Sequence, residues 1–142
     1  MRTRLIKNER GAALLETAVT IPLILLISVA IFEFGRAYQT WQVLTNAARE
    51  GARVAVISGT TDDQVRAAVR TYMTAGRLNA AATAPIDVDR VRPLGDRTGS
   101  AITISYPFEF IVLNPVVQLV VPDSTTGAPL TMSAFAIMRN EG

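Results

Sequence analysis

An α+β fold is predicted by three features of the chain: one apolar run of helical length near the N-terminus, a capped second helix, and period-two alternation confined to the residues beyond 85. The apolar run, Gly11 to Phe32 (GAALLETAVTIPLILLISVAIF), is interrupted by one charge, Glu16, and mildly by Thr17, Thr20 and Ser28. Its 22 residues are long enough to span a bilayer as a helix, for which about 20 are needed. Helical spacing then continues, with Phe34, Ala37/Tyr38, Trp41, Leu44, Ala48, Ala52 and Ala55 recurring at three- and four-residue steps. The spacing predicts one helix from about Leu14 to Ile57, roughly 65 Å long at 1.5 Å per residue. Pro22 predicts a kink in it. Gly35 and Gly51 each cost such a helix up to about 1 kcal/mol relative to alanine, so close packing or bending is the physical reason to keep them. With Ala48 and Ala52 they form a candidate packing set, whose small side chains admit either the chain's own sheet or a partner helix.

Ser58-Gly59-Thr60 ends the first helix, and Thr61 through Gln64 have capping-box spacing, with Asp62 and Asp63 suited to the positive end of a new helix. This second helix is predicted over Asp62 to Ala75, with Val65, Ala68, Val69 and Tyr72/Met73 as its apolar stripe and Gly76 as its stop. Asn79 to Ala84 reads as a flexible connection. Three strands follow: Ile86 to Val91, Ala101 to Phe108 after turn residues Leu94 to Gly99, and Leu130 to Met138. Ile102, Ile104, Tyr106 and Phe108 share one face of the second strand, and Leu130, Met132, Ala134, Ala136 and Met138 share one face of the third. Two helices and a small three-stranded antiparallel sheet result. Between the last two strands, Phe108 to Val121 is too apolar for a free loop and, broken by Pro115, too short to span a bilayer. It either folds into the core, lies on the membrane surface or docks a partner subunit.

Composition narrows the chemistry. Cysteine and histidine are absent from the 142 residues, which removes disulfides, thiolate nucleophiles, Cys/His metal sites and the commonest general base. Apolar residues make up 49% and charged residues 18%. The net charge of +2 comes from the N-terminus. Arg2, Arg4, Lys7 and Arg10 against Glu9 leave ten of the fourteen basic and eleven of the twelve acidic residues downstream, a net of −1. No basic patch interleaved with aromatics appears there, so nucleic acid is not expected as a partner. Asp87, Asp89 and Asp96 are the best polar constellation on offer, but no base, nucleophile or metal-ligand spacing accompanies them. They read as solvated strand and turn residues. The expectation is a non-enzyme without cofactor or metal.

The four basic residues before the apolar run, against Arg36 soon after it, orient a single-pass helix with its N-terminus in the cytoplasm and its C-terminal part outside. Glu16 near the inner end of that run is costly unless it reaches headgroups or finds a partner. A basic leader ending in Gly11, with a glutamate five residues on and apolar residues beyond, resembles a type IV prepilin signal. That resemblance implies cleavage by a prepilin peptidase between Gly11 and Ala12. It also implies that Glu16 meets the new N-terminal amine of a neighbouring subunit within the membrane. Two other routes stay open: an uncleaved anchor, and a secretory signal cut near Ala30, where Ser28-Val29-Ala30 has suitable small residues. The chain accordingly divides into a leader (1–11), a transmembrane and extended helix (12–57) and a small extracytoplasmic α+β domain (58–142).

Four blocks in order, Arg10-Gly11-Ala12-Ala13-Leu14-Leu15-Glu16, Ile21-Pro22-Leu23, Phe32-Glu33-Phe34-Gly35-Arg36 and Asn46-Ala47-Ala48-Arg49-Glu50-Gly51-Ala52-Arg53, together resemble a TadE-like protein. The third strand and Arg139 resemble the family's terminal strand more loosely. One departure is Thr17, where the family's processed signals often carry an aromatic residue after the glutamate. The resemblance implies a minor pilin or pseudopilin of a tight-adherence (Tad, Flp) type IV pilus, acting in surface adherence from the bacterial inner membrane. The implied partners are a prepilin peptidase, other TadE- or TadF-like minor pilins, pilus subunits and the assembly platform. A membrane-anchored scaffold of the same apparatus, never entering a fibre, is the competing expectation.

Overall fold

The computed structural model of the chain describes residues 9–115 and 130–140. Residues 1–8 of the expected leader and residues 116–121 of the apolar segment lie outside the described residues. Helix α1 (Glu9–Ala55) comprises 47 residues and keeps Pro22 inside it, giving a rod about 70 Å long. Among the described residues it is the helix long and apolar enough to cross a membrane. From Ala12 to Ser28 its residues are exposed throughout, whereas beyond Phe32 one side becomes buried.

Helix α2 (Asp62–Ala75) begins as the capping-box spacing predicts. The Gln64 N–H donates to Thr61 Oγ1 at 3.3 Å, and the Thr61 N–H donates to Gln64 Oε1 at 2.9 Å. Two of the orphan donors at the helix start are thereby satisfied. Val65, Val69 and Met73 form its buried stripe. Strands β1 (Ile86–Leu94), β2 (Arg97–Phe108) and β3 (Leu130–Arg139) make an antiparallel sheet in the order β1-β2-β3. The β1–β2 connection is tighter than the sequence predicts: Gly95 and Asp96 alone turn the chain, with Gly95 at φ +63°, a left-handed conformation that glycine adopts without steric cost. Both strands gain length from this short turn.

One face of the sheet carries the core. Ile102 lies opposite Val88 and Ala136, Ile104 opposite Ile86 and Ala134, and Tyr106 opposite Met132. These side chains meet Leu44, Ala47, Ala48, Ala52 and Ala55 of α1 and the stripe of α2 in a single cluster. The alternation predicted for β2 therefore matches the buried face, whereas in β3 only Met132, Ala134 and Ala136 reach it and Leu130 and Met138 at the strand ends are exposed. The 79–84 connection differs from the expected flexible stretch. Ala81 and Ala84 are buried in the same cluster, and the Ala80 N–H donates to the Tyr106 hydroxyl at 3.4 Å. Small apolar side chains in a turn can fill space against a sheet edge as readily as they can be mobile.

The small-residue face of α1 is occupied by the chain itself. A methyl group on Gly51 would lie 2.5 Å from Val69 Cγ2 and 3.4 Å from both γ carbons of Ile102, so the glycine is what lets α1 approach α2 and β2 so closely. Gly51→Ala is expected to cost about 1–3 kcal/mol in overpacking, reduced by up to about 1 kcal/mol of helix propensity. Val69→Ala removes the clashing methyl, so in a urea-unfolding double-mutant cycle the pair should cost less than the sum of the single changes. Strict additivity would show that the two residues do not meet.

Candidate functional site

The buried side of α1 changes character toward its exposed apolar half. The sequence pattern leads the apolar stripe through Phe34, Tyr38 and Trp41, but these are exposed (65%, 62% and 46%), and the covered positions are Glu33 and Thr40. The covered face keeps Ala37 and Leu44 of that stripe but takes in Glu33 and Thr40 in place of the three aromatic residues, so it buries a carboxylate and displays three rings. Both features have a local cause at the point where α1 leaves its bare apolar half.

Glu33 is completely buried, and a carboxylate is taken out of water only when its lone pairs are met. Its Oε1 accepts the backbone N–H groups of Ile111 and Val112, both at 2.9 Å, while its Oε2 accepts Arg36 Nη1 at 3.0 Å. One turn of helix separates Glu33 from Arg36, the spacing at which side chains share a face. Arg36 then reaches in two more directions. Its Nη2 donates to the Glu109 carbonyl at 3.1 Å, and its guanidinium lies 4.9 Å from the centre of the Phe108 ring. Phe108 in turn meets Phe110 edge to face at 5.2 Å. The pair Glu33–Arg36 thus clamps residues 108–112, at the end of β2, onto α1 immediately after Phe32. A helical turn starts at Leu113, so the carboxylate also sits where a helix start presents free N–H groups. Beside the clamp is an open groove of about 640 Å³ whose wall includes Arg36, Gln39, Thr40, Arg77, Tyr106 and Glu109.

A second polar joint closes the far end of the domain. Arg90 on β1 donates through Nε to Asp62 Oδ1 at 2.6 Å and through Nη1 to the carbonyl of Ala55, the last residue of α1, at 2.9 Å. It therefore satisfies an orphan carbonyl at one helix end and pairs with an acid at the start of the next. Asn140 holds this joint from behind, donating to the Arg90 carbonyl at 2.9 Å and accepting Ser100 Oγ at 2.8 Å. On the outer surface of α1, the Arg53 hydrogen bond to Glu50, aided by the Arg53 charge and opposed by slight desolvation, holds the Glu50 carboxyl below its usual value. The same contact raises Arg53. Such exposed pairs contribute little to stability.

The residues singled out by sequence fall in three places. Gly11 is half-buried and Ala12 exposed, both within α1. Glu16 lies on the bare part of the helix, where its carbonyl accepts Thr20 Oγ1 at 2.7 Å, and no described residue pairs with its carboxylate. Ala48, Gly51 and Ala52 lie together in the core. Gly35 does not join them, since a methyl group there would meet nothing within 4 Å. Asp89 accepts the Val91 N–H at 3.1 Å, a local turn contact, and among the described residues no group of three or more His, Cys, Asp or Glu is placed to hold a metal ion. The Arg90–Asn140 joint has no signal in spacing alone, and of the clamp only the one-turn spacing of Glu33 and Arg36 was legible, not the amides of Ile111 and Val112 that it holds.

The bare apolar half-helix, the polar clamp at its exit and the α+β domain beyond define a protein anchored by one N-terminal helix, with its folded domain held close to the anchor. Residues 11–53 match the family model described as TadE-like protein. The match covers the anchor and its extension up to Arg53, including Glu16, Glu33, Arg36 and Gly51, and α2 and the sheet lie outside it. No curated protein and no solved structure matches the chain.

Proposed function

We propose that the protein is a minor pilin or pseudopilin of a Tad (Flp) type IV pilus, a structural and non-catalytic subunit that takes part in pilus assembly or initiation for surface adherence. The observation that carries this reading is α1 itself. Its TadE-like segment has a fully exposed apolar half, with one carboxylate, Glu16, that nothing else in the described chain meets. An exposed apolar helix needs lipid or other helices around it, and an acid within it calls for a cationic partner. In the proposed mechanism the N-terminus lies in the cytoplasm, a prepilin peptidase cuts between Gly11 and Ala12, and Glu16 pairs with the new ammonium of a neighbouring subunit as it enters the assembly. The domain outside the inner membrane is carried as a rigid head on α1.

N-terminal sequencing of the membrane-purified protein tests the first step. The mature chain should begin at Ala12, and Gly11→Leu should leave the full-length precursor. Glu16→Ala should be processed normally yet be missing from sheared filaments, and normal recovery of that variant there would refute the pairing. One observation favours an uncleaved inner-membrane scaffold instead: the chain is helical from Glu9 through Gly11 and Ala12, whereas a protease needs extended backbone at the bond it cuts. A chain that still begins at Met1 and stays in the membrane fraction would decide for the scaffold.

A further inference from the structure

We propose that the turn bearing Ile111 and Val112 is a second membrane contact, seated in the interface of the leaflet through which α1 emerges. This rests on the reading of α1 as a membrane-spanning helix. Three observations point to it. The first is position. Glu33 directly follows the apolar run and holds the N–H groups of Ile111 and Val112 at 2.9 Å, so the turn cannot lie far from the level of residue 33. A hydrocarbon core about 30 Å thick takes up about 20 helical residues. If Glu16 marks its inner edge, the outer edge falls near Gly35, level with the turn.

The second is chemistry. Ile111 is 60% and Val112 37% exposed, two large apolar side chains presented at that level, and Phe34 is exposed on the neighbouring side of α1. Tyr38 and Trp41, one and two turns further out, are the amphipathic rings that favour headgroup depth. The third is hydrogen bonding. Backbone N–H groups that reach the hydrocarbon edge need partners within the protein. The two at the tip of the turn are satisfied by Glu33, and the Glu109 carbonyl before it is satisfied by Arg36. The occupant of the apolar surface is therefore lipid, continuous with the lipid around α1.

The chain has no cysteine, so single-cysteine variants carry one fluorophore each. Ile111→Cys, Leu25→Cys and Asp96→Cys, labelled with an environment-sensitive dye, are reconstituted as the full chain in phosphatidylcholine/phosphatidylglycerol vesicles containing nitroxide lipids. Position 25 lies midway between Glu16 and Gly35 on α1, and position 96 lies at the β1–β2 turn, the opposite end of β2 from the clamp. The probe at 111 should emit at shorter wavelength than that at 96, resist aqueous iodide, and lose about half its intensity to a shallow nitroxide, as an interfacial group does. The probe at 25 should respond most to a deep nitroxide. If 111 behaves like 96 while 25 is quenched in depth, the inference fails and the anchor stands. If 25 also behaves like 96, the membrane-spanning reading itself fails. Shielding of 111 from iodide without lipid quenching, relieved on dilution into more lipid, would assign the turn to a contact between copies and overturn the inference.

Discussion

Glu33→Ala is expected to destabilise the folded chain by about 3–5 kcal/mol, the cost of breaking a buried pair by removing one partner. Three groups lose their acceptor at once: the amides of Ile111 and Val112 and the Nη1 of Arg36. Since Glu33 is wholly enclosed, water cannot take its place without opening the clamp. The damage should be local first. Hydrogen exchange of the full chain in detergent should accelerate at Ile111 and Val112, while the core amides of β2 around Ile102 keep their order of protection. Glu33→Gln retains an oxygen that can accept the two amides and loses the charge facing Arg36, so it should fall between wild type and alanine. Unchanged exchange at 111 and 112 in the alanine variant would show that the clamp does not hold the turn.

Ile102→Ala should cost about 2–5 kcal/mol, as large-to-small changes at well-packed sites do. Ile102 is completely buried, lies opposite Val88 and Ala136 in the sheet, and faces Gly51 of α1. Its γ carbons occupy the point where α1, α2 and the sheet converge, and α1 cannot sink into the space left by their loss because its backbone is already in contact there through Gly51. For a domain whose total stability is in the usual range of about 5–15 kcal/mol, this is a substantial fraction. Thr103→Ala, the next residue on the opposite, partly exposed face of β2, is the matched control and should cost no more than about 1 kcal/mol. Equal losses at 102 and 103 in urea unfolding would mean that the sheet does not bury the face assigned to it.

Much of the architecture is legible in the chain because its signals are local. The period of three and four residues through Ala55, the Thr61–Gln64 capping box and the alternation of Ile102, Ile104, Tyr106 and Phe108 each depend on neighbours within a turn or a strand. The ends of α2 follow from the Thr61 cap and Gly76. Boundaries shift where a turn is tighter than its residues require, as at Gly95-Asp96. The Asn79–Ala84 connection was misleading for a related reason: alanines carry little local preference, and the space waiting for Ala81 and Ala84 is made by the sheet.

The candidate site divides in the same way. The bare anchor with Glu16 inside it is a property of consecutive residues, and so is the TadE-like segment matched at residues 11–53. The sequence by itself thus determined the membrane-capable helix, the two-helix, three-strand order and two candidate packing glycines, of which the tertiary structure selected Gly51. Only the tertiary structure decided which side of α1 is covered, and with it the role of Glu33, whose amide partners lie 78 and 79 residues away. The physical reason is range. Periodicity records which face of an element is apolar, but a buried carboxylate is explained by the groups that satisfy it, and those are brought to it only when the end of β2 returns to the helix beside Phe32.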